Sequence, residues 1–358
     1  MWVLLINSMK STLFAILWII YSQFLINCVA FYRGFFNNRN SYPQLIHNFR
    51  FFMKKVLAFD IGGTNTRLAL INENFEIEKV EIKNTPHNSK EKFMETVFEL
   101  VDAFPLKDVV AFGAGVPGVV DTKSAKIITL PNVGISDIEF GKLLKEKYHL
   151  DVYLRNDAQM ACLAEAVLGK GKDYERVFFV TISTGLGGSL CVNGEIQDYL
   201  TEVGHTLFKY KDSYQEFEIA AGANIAKLAK LNNVNISSAK EMFDKVKAKN
   251  EEGLKLFKEW KNIIKQYFVL MNDSYCPDVF VVTGGFMKSK AYFFDEIKQC
   301  VDGTPIVECG FDQQAGLIGS ALYALKKTNI WFIKLKDYTN SSVDEDTLMK
   351  VSLQEREW

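Results

Sequence analysis

Residues suited to chemistry cluster in a few short stretches. Asp60 is followed by Ile61, Gly62, Gly63, Thr64, Asn65 and Thr66. Two glycines let main-chain N–H groups close on an anion, and the hydroxyl and amide side chains add donors. An acid beside them suits a Mg²⁺ that travels with phosphate. A plain Gly-Gly hairpin turn would use the same residues for shape alone. Far downstream, Thr184, Gly185, Leu186, Gly187 and Gly188 repeat the device, and Gly284-Gly285 forms a third glycine turn. Asn156-Asp157 stands before an alanine-rich run, where helix capping is the ordinary duty of such a pair. Glu202 and His205 bracket Val203-Gly204.

These residues need elements to aim them. An apolar strand over 56–59 runs into Asp60, a second returns over 67–71 and a third covers 75–82. Ser89 is placed to cap a helix over 90–104, where Phe93, Val97, Leu100 and Val101 recur at helical spacing. A buried strand over 108–115 leads into Val116-Pro117-Gly118, a stiff turn. This mixed order predicts a layered α/β domain. A strand over 151–154 delivers Asn156-Asp157 to a helix of small residues over 158–169. The strand over 176–183 then delivers the second glycine turn, which points to two phosphate loops. Residues 223–268 read as helical scaffold, 278–285 as a strand and 315–325 as a helix that packs closely.

Composition narrows the class. The 358 residues are 48% apolar and 24% charged, enough for a large core. A net charge of −1 gives no basic face for nucleic acid. Six scattered cysteines without a C-x-x-C pair fit reduced thiols of a cytoplasmic protein.

The first glycine turn resembles the opening phosphate motif of the superfamily of sugar kinases, heat-shock chaperones and actin. Specifically, it is similar to that of the ROK family (repressors, open reading frames and sugar kinases). Further ROK-like pieces follow in order: GAGVPGVVD (113–121), LPNVG (130–134), LRNDAQMACLAEAVLGKG (154–171), VTISTGLGGSL (180–190), TEVGH (201–205), VVTGGF (281–286) and AGLIGSALYAL (315–325). The resemblance spans roughly 54–325. It implies a two-lobed ribonuclease-H-like, actin-like fold with ATP and sugar in the cleft. A small lobe over 54–120 would be completed by a helix over 313–327, and a large lobe would cover 121–312.

The same resemblance implies roles. Asp157 takes the general-base position. Asn132, Asn156, Glu202, His205 and Glu218 (or Glu216) take sugar-binding positions. Asp60, Gly62, Gly63, Thr64, Asn65, Thr66, Thr184, Gly185, Gly187, Gly188, Gly284 and Gly285 take ATP-binding ones, with Asp60 near Mg²⁺ through water. It also implies a homodimer and an ATP-dependent hexose kinase, with glucose the default and N-acetylmannosamine, fructose or mannose as alternatives. A sugar-sensing regulator or a non-catalytic sugar binder is the rival class. The apolar segment before the match offers no basic recognition helix for a regulator. Family members often place a zinc-binding cysteine cluster after the histidine. Residues 206–222 hold no cysteine, so a zinc-free member is expected.

Residues 12–31 are uncharged and long enough to span a bilayer, with the following arginines and lysines favouring a cytoplasmic body. The break in composition at Met53 favours a second reading, in which the protein starts there and residues 1–52 are dispensable. The tail over 328–358 lies beyond the resemblance and has no assigned role.

Overall fold

The computed structural model describes residues 54–198 and 202–328. Expectations for 12–31 and for the tail beyond 328 fall outside them. Among the described residues, no helix is long and apolar enough to cross a membrane.

Five strands make the first sheet: β1 (Lys55–Ile61), β2 (Asn65–Asn72), β3 (Ile77–Asn84), β4 (Val109–Val116) and β8 (Asp151–Asn156). Their order is β3-β2-β1-β4-β8. β1 and β2 pair antiparallel as a hairpin, while β4 joins β1 in parallel and β8 joins β4 in parallel. β1 is apolar over 56–59 because both faces are covered there. Leu57, Phe59 and Ile61 point into one cluster with helix α1 (Lys90–Asp102). Val56 and Ala58 point into another with helix α8 (Ala315–Lys327). Ser89 caps α1 by accepting from the Lys92 N–H at 3.2 Å, as its position predicts. The third strand starts later than expected. Asn72 Oδ1 accepts from the N–H groups of Asn74 and Glu76, a local turn that keeps Phe75 out of the ladder.

Between β4 and β8 the chain makes a small sheet, β5 (Val119–Asp121), β6 (Lys126–Leu130) and β7 (Ile135–Ile138), followed by helix α2 (Phe140–Tyr148). The expected boundary at 120/121 therefore cuts through the first lobe. The parallel pairing of β8 with β4 carries that lobe to Asn156.

The second sheet repeats the first. It contains β9 (Arg176–Ile182), β10 (Leu186–Val192), β11 (Glu195–Ile196), β14 (Val279–Thr283) and β15 (Ile306–Glu308), in the order β11-β10-β9-β14-β15. Again a hairpin comes first, with two parallel strands on its far side. The duplicated two-lobed, actin-like expectation is met. Its core is aromatic. Trp260, on helix α6 (Glu251–Tyr275), is fully buried, donates to the Ala220 carbonyl at 2.8 Å and stacks on Phe286. Helices α4 (Ile225–Leu231), α5 (Ala239–Lys247) and α7 (Phe294–Ile297) complete this lobe with the hairpin β12 (Leu207–Tyr210) and β13 (Ser213–Glu216).

Helix α3 (Asp157–Val167) crosses α8 between the sheets. The crossing is backbone on backbone. A Cβ on Gly319 would lie 1.7 Å from the Met160 carbonyl oxygen.

Candidate active site

The first hairpin aims Asp60 through its cross-strand partner. Asp60 faces Arg67 in the β1–β2 register, and the two form an ion pair. Arg67 also donates to the Gln313 carbonyl at 2.7 Å, tying the hairpin to the approach to α8. Burial pushes the Asp60 carboxyl up, and the guanidinium pulls it back only in part. At the tip, Gly62 N donates to the Asn65 carbonyl at 2.8 Å. Thr64 and Asn65 are exposed there.

Thr66 departs from expectation. It is fully buried, and its hydroxyl pairs with Thr85 at 2.9 Å while Thr85 donates to the Gly62 carbonyl at 2.7 Å. It braces the turn instead of facing a ligand. His87 adds a second brace, its Nε2 donating to the Gly63 carbonyl at 2.7 Å. Asn132 reaches the same loop: a Cβ on Gly63 would sit 3.4 Å from the Asn132 Cβ.

The second hairpin closes with Ser183 N donating to the Gly185 carbonyl at 2.9 Å, leaving Thr184 exposed at the tip. Gly187 approaches Ala158, so this loop abuts the head of α3. Gly188 is a correction like Thr66. It is buried in β10, where a Cβ would come within 2.9 Å of Phe178, Phe179 and Val203, so it serves packing. Gly62, Gly63, Gly185 and Gly187 are absent from the left-handed region, so they provide room rather than unusual angles. Gly284 is the exception, with φ +108° and a Cβ position 2.2 Å from the Ile182 carbonyl oxygen. Its neighbour Gly285 borders open space.

Asn156 and Asp157 divide the labour their sequence position left open. Asn156 caps α3, accepting from Ala158 N at 3.0 Å, and its amide donates to the Gly118 carbonyl at 3.3 Å. That leaves one amide hydrogen for another partner. Asp157 is the first helical residue. Its carboxyl is pushed up to about 7 by burial first and then by the negative charge of Asp60, with Glu202 adding to the rise. The Ala158 N–H, 2.8 Å from Asp157 Oδ1, pulls the other way.

Around His205 stand three carboxylates, and the structure separates Glu216 from Glu218. Glu216 meets His205 Nδ1 at 2.9 Å, and Glu202 lies 3.8 Å from Nε2. Glu216 is the main reason the imidazole stays protonated to higher pH than usual. Glu218 instead accepts from Leu186 N at 2.7 Å, at the second glycine turn. Burial raises its carboxyl, partly offset by that N–H. Thr201 lies outside the described residues. Glu202 itself sits in the left-handed region at φ 56°. Residues 207–216, after His205, form the β12–β13 hairpin. Among the described residues no group of three or more His, Cys, Asp and Glu could hold a metal ion.

Arg67, Thr85 and His87 are the participants that residue type alone passes over. The signal for Arg67 was its register opposite Asp60.

Residues 56–327 match the family model described as ROK family. The chain belongs to the ROK family. Its relatives include both kinases and repressors. An N-acetyl-D-glucosamine kinase of Mannheimia succiniciproducens is 31% identical over 160 residues, covering 43% of this chain and 52% of the relative. A xylose repressor of Caldicellulosiruptor bescii is 22% identical over 220 residues, covering 58% and 53%. The chain thus spans about half the length of the curated relatives it matches. Among solved structures, a ROK family glucokinase from Streptomyces griseus, in complex with glucose and AMPPNP, aligns with a TM-score of 0.62 at 21% identity. That alignment covers 76% of this chain and 99% of the other.

Proposed function

We propose that this ROK protein is an ATP-dependent sugar kinase that phosphorylates a hexose hydroxyl. The observation that carries the reading is Asp157, a carboxylate held near neutrality at the head of α3 beside both glycine hairpins. A sugar hydroxyl is a poor nucleophile until its proton leaves, and a base titrating near the working pH is the efficient acceptor. Asn156, Glu202 and His205 orient the sugar, with Asn132 and Glu218 at the margins. The tips at Gly62–Asn65 and Thr184–Gly187, with Gly285, receive ATP. Phosphoryl transfer then depends on alignment and charge neutralisation more than on covalent help.

The negative charge of Asp60 adds to the rise of the Asp157 carboxyl, and a divalent cation beside Asp60 would relieve that repulsion. Mg²⁺ would be held near Asp60, where it would neutralise phosphate charge. Arg67 keeps the Asp60 carboxylate oriented for that duty.

Glucose is the first candidate sugar. N-acetylglucosamine joins N-acetylmannosamine, fructose and mannose through the kinase relatives. The repressor relatives favour a second reading, a sugar-responsive regulator. A coupled ATPase assay over a panel of about ten sugars tests the proposal. Turnover with one sugar well above the ATP-only rate supports the kinase; binding of a sugar with no turnover across the panel supports the regulator.

A further inference from the structure

On the other side of β8 lies a polar cavity of about 260 Å³. Arg155 precedes Asn156 in β8, and successive strand residues point to opposite faces. Its guanidinium therefore leaves the Asn156 face and stacks 4.9 Å from the centre of the Tyr323 ring on α8. Lys326 and Lys327 of α8 line the same cavity, as does Glu195 of β11.

The charges there are unevenly matched. Glu195 is held by Lys326 at 2.5 Å, and Asp198 is held by Arg155. Lys327 has no acid partner among the described residues; its ammonium rests 5.6 Å from the Tyr323 ring centre. Arg155 is only 9% exposed, yet its Nε is buried without a hydrogen-bond partner. A buried donor left unpaired is costly, and a guanidinium fork matches the oxygens of a phosphate group. The volume is close to the lower bound of about 300 Å³ for small-molecule pockets, so it suits a monosaccharide-sized ligand.

We propose that this cavity binds a phosphate monoester of monosaccharide size, apart from the cleft. The two ion pairs tie α8 to β11 and β8 to Asp198, which follows β11 in the second lobe. A phosphate group there competes with Asp198 for Arg155 and with Glu195 for Lys326. Filling the site thus loosens a strap between the lobes, and the residue it draws on adjoins Asn156-Asp157.

Calorimetric titration of the full chain tests this with two probes, inorganic phosphate and glucose 6-phosphate. Lys327→Glu reverses an exposed charge that has no acid partner among the described residues, so folding should survive. The Kd should rise about tenfold or more in this variant, while its affinity for a non-hydrolysable ATP analogue stays unchanged. Binding of both probes identifies the phosphate group as the recognised feature; binding of the ester alone adds the sugar skeleton, and both outcomes support the site. No heat from either probe up to about 10 mM, or a Kd that Lys327→Glu leaves unmoved, overturns it. Arg155→Gln should give the same loss if it folds, and Lys327→Glu decides the matter if it does not.

Discussion

Asp157 begins α3 without being its cap, and that separates its chemistry from its structural duty. Asparagine at 157 keeps the side-chain oxygen that accepts from Ala158 N, and Asn156 remains as cap. The cap is thus retained, and because asparagine has no proton to lose, the variant should be at least as stable as the native protein at neutral pH. Turnover should fall by about 10² to 10⁴-fold, the usual contribution of a positioned base. Near-wild-type turnover in folded Asp157→Asn would remove the residue from the mechanism. The carboxyl also predicts a pH profile. It titrates near 7 in the fold against 3.8 ordinarily. The folded state thus holds its proton longer than the unfolded chain, and this group's contribution to stability declines as pH rises from about 4 to 7. Catalysis runs the opposite way, because the base must be ionised. The sugar-kinase kcat/KM should climb through a pKa near 7 and level off above it, and a profile flat from about pH 5.5 to 8 would count against the assignment.

Among the carboxylates near His205, only Glu216 makes close contact with the ring. Glu216→Gln should lower the imidazole pKa in an NMR titration, whereas Glu218→Gln should move it less. Residue type and order were enough to mark Asp157, the glycine turns and His205. They could not separate Glu216 from Glu218, since that choice depends on which way each faces across the end of β13. Nor could they show that Thr66 and Gly188 turn inward. Threonine and glycine read alike whether they meet a ligand or a neighbouring strand, and only register tells the two apart.

At the scale of elements, the continuous apolar runs made β1 and β9 legible, because strands covered on both faces leave little room for polar residues. The return of β8 to the first sheet was not legible, because a parallel crossover joins strands distant in sequence. The β12–β13 hairpin is held by side-chain packing, with Phe208 stacked on Phe217 at 4.2 Å between ring centres. Phe208→Ala should cost about 3–5 kcal/mol in urea unfolding. A chelator should leave the melting temperature of the native protein where it is; a clear drop would reveal a metal the hairpin depends on. At the α3–α8 crossing, Gly319→Ala should destabilise by about 1–3 kcal/mol or more, since the added methyl meets backbone and not a side chain that can move. An unchanged urea midpoint would show that the helices can part without loss.

For the whole molecule, two sheets of one topology are joined by crossing helices, with a hairpin from each directed to the head of α3. If the proposed kinase activity holds, closure around sugar and nucleotide would exclude water that otherwise accepts the phosphoryl group. Small-angle scattering should record a smaller radius of gyration when sugar and a non-hydrolysable ATP analogue are present together than with either alone. Equal radii in all states would argue for a rigid cleft.

The seam between β1 and α8 also governs the order of events on the ribosome. Ser320 donates to the Phe59 carbonyl at 3.1 Å, joining the first strand to the last described helix. Val56, Ala58, Ala69 and Ile71 are covered on that face by Leu317, Ala321 and Ala324. Synthesis proceeds at about 5–20 residues per second, so the opening strands emerge well before their cover exists. The second lobe carries its own aromatic core and can consolidate during that wait, while the first lobe keeps an apolar face open to chaperones. A nascent chain arrested before residue 315 should remain bound to them, and one released after residue 328 should let go.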